Sequence, residues 1–183
     1  MSHEMNEKRP EELDENFFRA IGQDWMLITA QKDGKVNTMT ASWGLAGVLW
    51  NLPVAVCFVR PQRYTHTFTQ AADVLTLSFF TPEYRDALAL CGRKSGRDCD
   101  KFKETGLGAL TDGEYAYPAQ ARMVLFCRKI YEDEIKKANF LDPTLLKNYP
   151  KDDFHLPDRK GSNQRISIKN AARSVKGPRR ILL

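Results

Sequence analysis

Residues 25–44 read WMLITAQKDGKVNTMTASWG, and this stretch decides the fold. Trp25 to Ala30 is apolar and strand-like, and Lys32-Asp33-Gly34-Lys35 supplies an Asp-Gly turn, the strongest short-range hairpin signal. Val36 to Trp43 is the returning strand. Thr38, Thr40 and Ser42 share one of its faces and Met39, Ala41 and Trp43 the other, as the period-two geometry of a strand requires.

Working outward, Pro10 to Ala20 has Pro and acids at its start and apolar Leu13, Phe17, Phe18 and Ile21 on one side. It predicts a short amphipathic helix with Gly22 near its end. Downstream, Pro53 opens a strand over Val54 to Val59, which Arg60-Pro61 ends, and Gln62 to Ala72 has the length and polarity of a helix. Val74 to Phe80 is rich in strand formers, Pro82 to Leu90 reads as a helix with Gly92 beyond it, and Lys101 to Thr105 reads as a helical turn. Ala121 to Tyr131 is a long apolar strand. Paired strands with helices inserted at intervals predict a mainly β fold, an antiparallel sheet closed or folded into a barrel. The regular alternation of a doubly wound fold is missing.

The 183 residues suffice for one domain with a substantial core, and 42% hydrophobic with 28% charged residues is ordinary globular composition. The longest apolar runs are strand-length, far below the roughly 20 residues of a spanning helix. The polar N-terminus lacks the apolar region of a secretory signal, so a cytoplasmic location without a membrane segment is expected. Cys57, Cys91, Cys99 and Cys127 show no zinc-ribbon spacing and are expected as reduced thiols. The net charge of +5 is unevenly placed: from His155 onward eight Lys or Arg face one acid, and everything before it sums to −2. The basic character therefore belongs to the C-terminal tail.

Several chemistries find no support. Gly106-Leu107-Gly108 lacks the third glycine and the preceding strand of a dinucleotide fingerprint, and there is no P-loop, HExxH or Gly-x-Ser-x-Gly motif. No metal site is expected. Three polar segments interrupt the apolar pattern. Residues 37–44, NTMTASWG, place hydroxyls and small residues at a strand end, where backbone can approach a flat or anionic ligand. Arg60-Pro61-Gln62-Arg63-Tyr64-Thr65 joins a strand to a helix, so guanidinium groups and a helix N-terminus converge where an anion is stabilised. Residues 91–102, CGRKSGRDCDKF, add glycines, a hydroxyl, cations and an aromatic. An ordinary polar strand face and solvent-facing arginines are the alternative readings of the first two.

Taken in this order and spacing, NTMTASWG, RPQRYTHTF with the strand VLTLSFF, and CGRKSGRDCDKF resemble the flavin reductase-like family of FMN-binding split barrels, which includes the flavoredoxins. The resemblance spans roughly Trp25 to Glu134. It implies an antiparallel split β-barrel in which Thr40, Ala41, Ser42, Trp43 and Gly44 meet the isoalloxazine and ribityl chain. It further implies that Arg60, Arg63, Tyr64 and Thr65 hold the FMN phosphate, and that Ser95, Gly96 and Lys101 close over the flavin with Phe102 as packing support. Hydride would pass from NADH or NADPH to N5 of the flavin, so no catalytic side chain is required. The alternative is a flavoredoxin-like electron carrier that oxidises no nicotinamide. A homodimer and a redox protein partner are implied as well; nucleic acid is disfavoured, because no aromatic interleaving accompanies the basic residues.

The family-like domain is assigned to 1–154 and an atypical basic tail to 155–183. Families of this type end with an aromatic and aliphatic strand, whereas LPDRKGSNQRISIKNAARSVKGPRRILL is polar and basic. An anionic-surface contact, a solvated or partner-bound extension, and a reading-frame change after His155 are the explanations open at this level.

Overall fold

A computed structural model describes residues 7–150 and the backbone of 166–171 and 181–182. The strands are β1 (Glu7–Lys8), β2 (Met26–Lys32), β3 (Lys35–Ala41), β4 (Gly44–Leu49), β5 (Leu52–Phe58), β6 (Val74–Phe79), β7 (Ala109–Asp112), β8 (Tyr115–Pro118), β9 (Met123–Asp133), β10 (Ile166–Ala171) and β11 (Ile181–Leu182). The helices are α1 (Phe17–Gly22), α2 (Tyr64–Ala71), α3 (Arg85–Arg93) and α4 (Lys101–Thr105).

The hairpin of residues 25–44 forms as its sequence dictates. β2 pairs antiparallel with β3 from Met26↔Ala41 to Lys32↔Lys35, and Asp33 and Gly34 both take positive φ at the turn. The main sheet runs β3-β2-β6-β9-β10-β5-β4, with all the pairs antiparallel and its end strands β3 and β4 not joined to each other. It is a mainly β, split-barrel arrangement with helices inserted between strands.

β2 is buried along most of its length because both of its faces are covered. Met26, Ile28 and Ala30 point into one core with Met39, Ala41, Ala55, Cys57, Leu75, Leu77, Phe79 and Leu125. Leu27 points the other way, into a second core with Leu88 and Cys91 of α3, Val124 and Phe126. The β7–β8 hairpin covers this outer face, with Tyr115 and Tyr117 edge-on to Phe126 at 5.2 and 5.3 Å between ring centroids.

The structure departs from the sequence reading in several places, among them the unread β7–β8 hairpin and three others. The helix read over 10–20 divides into a 3₁₀ turn, Pro10–Glu12, and α1, because the Asn16 side chain accepts from Arg19 N and starts a new helix there. A second hairpin, β4–β5, turns on Trp50 and Asn51, both at positive φ without any glycine. Within the tail, 166–171 forms β10 between β9 and β5, with a register shift between Ile168 and Lys169. The other residues of 155–183, apart from 181–182, lie outside the described residues. Among the described residues no helix is long and apolar enough to cross a membrane, and no group of His, Cys, Asp and Glu could hold a metal ion.

Candidate functional site

β3 sets Thr40 against α3 and, from its other face, Asn37 against α2, and a cleft of about 400 Å³ opens where the end of β3, the start of α2 and the loop after α3 meet. Eleven of the twelve residues assigned from the sequence line it, from Thr40 to Trp43, Arg60, Arg63 to Thr65, Ser95, Gly96 and Lys101. Gly44 is the exception. It begins β4, where a Cβ would stand 2.8 Å from Val56 O and 2.9 Å from Met26 Cε, so close packing accounts for this glycine. Phe102 packs against the outer core rather than lining the cleft.

The sequence reading missed Met39, Phe58, Gln62, Arg93 and Lys94 among the lining residues. Four of these lie inside the three polar segments already singled out. Phe58 lies at the end of β5, two positions before Arg60.

The walls are held by buried polar contacts. Asn37 Nδ2 donates to Thr65 Oγ1 at 2.9 Å, tying β3 to the first turn of α2. Thr40 Oγ1 donates to Leu88 O, which ties β3 to α3. Gly96 comes so near this junction that a Cβ on it would overlap Asn37 Oδ1 and approach Tyr64 Cδ1 to 3.2 Å. Only glycine lets the loop lie flat against the wall.

The electrostatics have one sign. Arg60, Arg63, Arg93, Lys94 and Lys101 line the cleft, and no Asp or Glu does so among the described residues. Lys101 is 5% exposed, and its Nζ donates to Thr38 O and Cys91 O, each at 2.8 Å. Burial, reinforced by the like charge of Arg63, holds its ammonium below the ordinary lysine value. Arg63 donates through Nη1 to Gly92 O at 2.6 Å, and burial together with the Arg60 charge lowers its pKa too. Lys94 differs, being paired with Glu104 at 2.6 Å outside the cleft. No side chain caps α2; His66 N donates to Arg63 O at 2.9 Å, which leaves Tyr64 N and Thr65 N of the first turn for a ligand beside Arg63. Arg60 points elsewhere: its guanidinium lies 5.2 Å from the ring centroids of both Trp43 and Tyr149, and Nη2 donates to Asn148 O at 2.8 Å.

A cleft lined by cations and by no carboxylate among the described residues suits an anionic ligand, and comparison with known proteins gives it a context. The model of the flavin reductase like domain matches residues 18–139. The chain belongs to this family. The match takes in the cleft and ends before β10.

Family members of known structure share the fold at low identity. An FMN-binding domain of a flavin reductases-like enzyme from Shewanella baltica superposes with a TM-score of 0.63 at 15% identity, over 93% of this chain and 75% of that one. Flavoredoxin from Methanosarcina acetivorans gives 0.55 at 21% identity, over 61% of this chain and 60% of that one. An NADH:FAD oxidoreductase from Streptomyces globisporus gives 0.57 at 13%, over 87% and 80%. Among curated proteins none matches the chain.

Proposed function

We propose that this chain binds FMN in the cleft and passes hydride from NADH or NADPH to it, as an NAD(P)H-dependent flavin oxidoreductase. The observation that carries the reading is a one-signed cleft in a flavin reductase-like domain: five cations, no carboxylate among the described lining residues, and a helix N-terminus without a side-chain cap beside a half-buried arginine. The residues fit such a group. A volume of about 400 Å³ lies within the range of cofactor clefts. Arg63 and the first turn of α2 suit a phosphate, while Thr40 to Trp43 on one wall and Ser95, Gly96 and Lys101 on the other suit a planar ring and its polar edge. When bound, FMN supplies the hydride acceptor, which is why a cleft without a general acid or nucleophile is adequate. The protein's part is to anchor, orient and neutralise.

A homodimer belongs to the same proposal. Leu45, Val48 and Trp50 of the β4–β5 hairpin are 59%, 77% and 58% exposed at the end of the main sheet, an apolar edge that a second copy would cover. A redox protein partner would receive the electrons.

The test is anaerobic absorbance of the FMN-loaded protein on adding NADH or NADPH. Loss of the flavin band near-stoichiometric with added nicotinamide is the expected result. A band that responds to dithionite but to neither nicotinamide would replace the reductase with an electron carrier of the flavoredoxin kind.

A further inference from the structure

We propose that Arg60 is a latch on the cleft mouth and not a ligand of the anion, so that it governs how fast the cofactor exchanges and not how tightly it is held. The flavin half of this inference rests on the function proposed above; the latch itself does not.

Two arginines stand three residues apart at the start of α2, and the structure gives them opposite duties. Arg63 is drawn inward against Gly92 O and lines the cleft beside the uncapped first turn of α2. Arg60 is drawn outward into the corner that two edge-on rings form, with its guanidinium 5.2 Å from the Trp43 ring centroid and 5.2 Å from that of Tyr149. Its Nη2 also holds Asn148 O at 2.8 Å. A guanidinium fork can meet two inclined rings and a carbonyl oxygen at once through separate edges, which a lysine ammonium on its flexible stem does not.

The cluster joins distant parts of the chain. Trp43 follows β3 and lines the cleft, whereas Tyr149 ends the strap of residues 137–150, which consists of the 3₁₀ turns Lys137–Asn139 and Pro143–Asn148. Tyr149 is 7% exposed, edge-on to Trp43 at 6.1 Å and to Phe140 at 5.9 Å. The strap thus fixes two cleft-lining side chains, Trp43 and Arg60, from behind. Removing the guanidinium leaves only the direct contact of Trp43 with Tyr149 to hold the strap there, and loosens that side of the mouth. A gate speeds entry and exit alike and leaves their ratio unchanged, whereas loss of an anion ligand raises the dissociation constant.

The experiment compares R60M, R60K and R63M with the unaltered full chain. FMN association and dissociation are followed by stopped-flow fluorescence, and the strap is probed by trypsin at the exposed Lys136, Lys137 and Lys147. For R60M and R60K both FMN rate constants should rise about tenfold with Kd within about twofold, and strap cleavage should accelerate about tenfold. R63M should instead raise Kd about tenfold or more with strap cleavage unchanged. Tyr149→Leu, which leaves Arg60 in place, should reproduce the R60M behaviour. The proposal is overturned if R60M raises Kd as R63M does, if R60K retains slow exchange, or if cleavage in R60M spreads from the strap to sites across the chain. Should the unaltered protein bind no FMN, the functional reading fails, and the strap cleavage of R60M and Tyr149→Leu still decides the latch.

Discussion

A Cβ placed on Gly96 would stand 2.2 Å from Oδ1 of Asn37, a separation no pair of atoms tolerates. Asn37 cannot yield cheaply, because it is 6% exposed and its Nδ2 is committed to Thr65 Oγ1 at 2.9 Å. Gly96→Ala must therefore push the loop from the wall or break the bond between β3 and α2. The expected cost is about 1–3 kcal/mol of stability, as for other overpacked sites. A denaturant melt checks it, and FMN affinity should fall in the same variant. An unchanged melt would show that the loop has room.

Cys91 sets an alkaline limit on stability. It is fully buried in the outer core, and burial pushes its thiol from 9.0 up to about 11 against the opposing pull of the Lys101 ammonium. In the unfolded chain the thiol ionises first, so stability is present below pH 9 and is lost as pH rises toward 11. This single group accounts for at most about 3 kcal/mol. Lys101, whose pKa is lowered, works in the opposite sense, and removing the Cys91 thiol, which supports its charge, lowers it further and flattens the fall in the same direction. Unfolding free energy measured from pH 8 to 11 should fall less steeply in Cys91→Ala than in the unaltered protein; parallel curves would contradict the assignment.

The tail is part of the sheet. The path of strands from β9 to β5 passes through β10, so a chain ended after residue 154 loses the strand that joins the β4–β5 hairpin to the rest and leaves two long edges unpaired. Such a chain should aggregate or lose its cooperative melt, as size-exclusion chromatography and circular dichroism will show. A monodisperse product with an unaltered melt would mean that β10 is dispensable.

What was legible in the sequence, and what was not, follows from the range of the interactions involved. The β2–β3 hairpin announces itself because Asp33-Gly34 encodes positive φ locally. The β4–β5 hairpin does not, because Trp50 and Asn51 take the same conformation under the pull of the paired strands rather than from their own preference. β10 was hidden in the same way: ISIKNA alternates for barely two periods within a basic run, and its place is fixed by partners at 54–58 and 127–133. The cleft residues could be read because they lie in three short contiguous segments. The direction of Arg60 could not, since it depends on Asn148, 88 residues downstream.

The central claim is that this one-signed cleft is an FMN site anchored by Arg63. Titrating free FMN with the protein, and following the flavin fluorescence, tests it most directly. We expect saturable quenching at about one FMN per chain, weakened about tenfold or more in Arg63→Ala, as loss of a charged phosphate contact requires. Fluorescence that does not respond to the protein, or a titration that Arg63→Ala leaves unchanged, would contradict it.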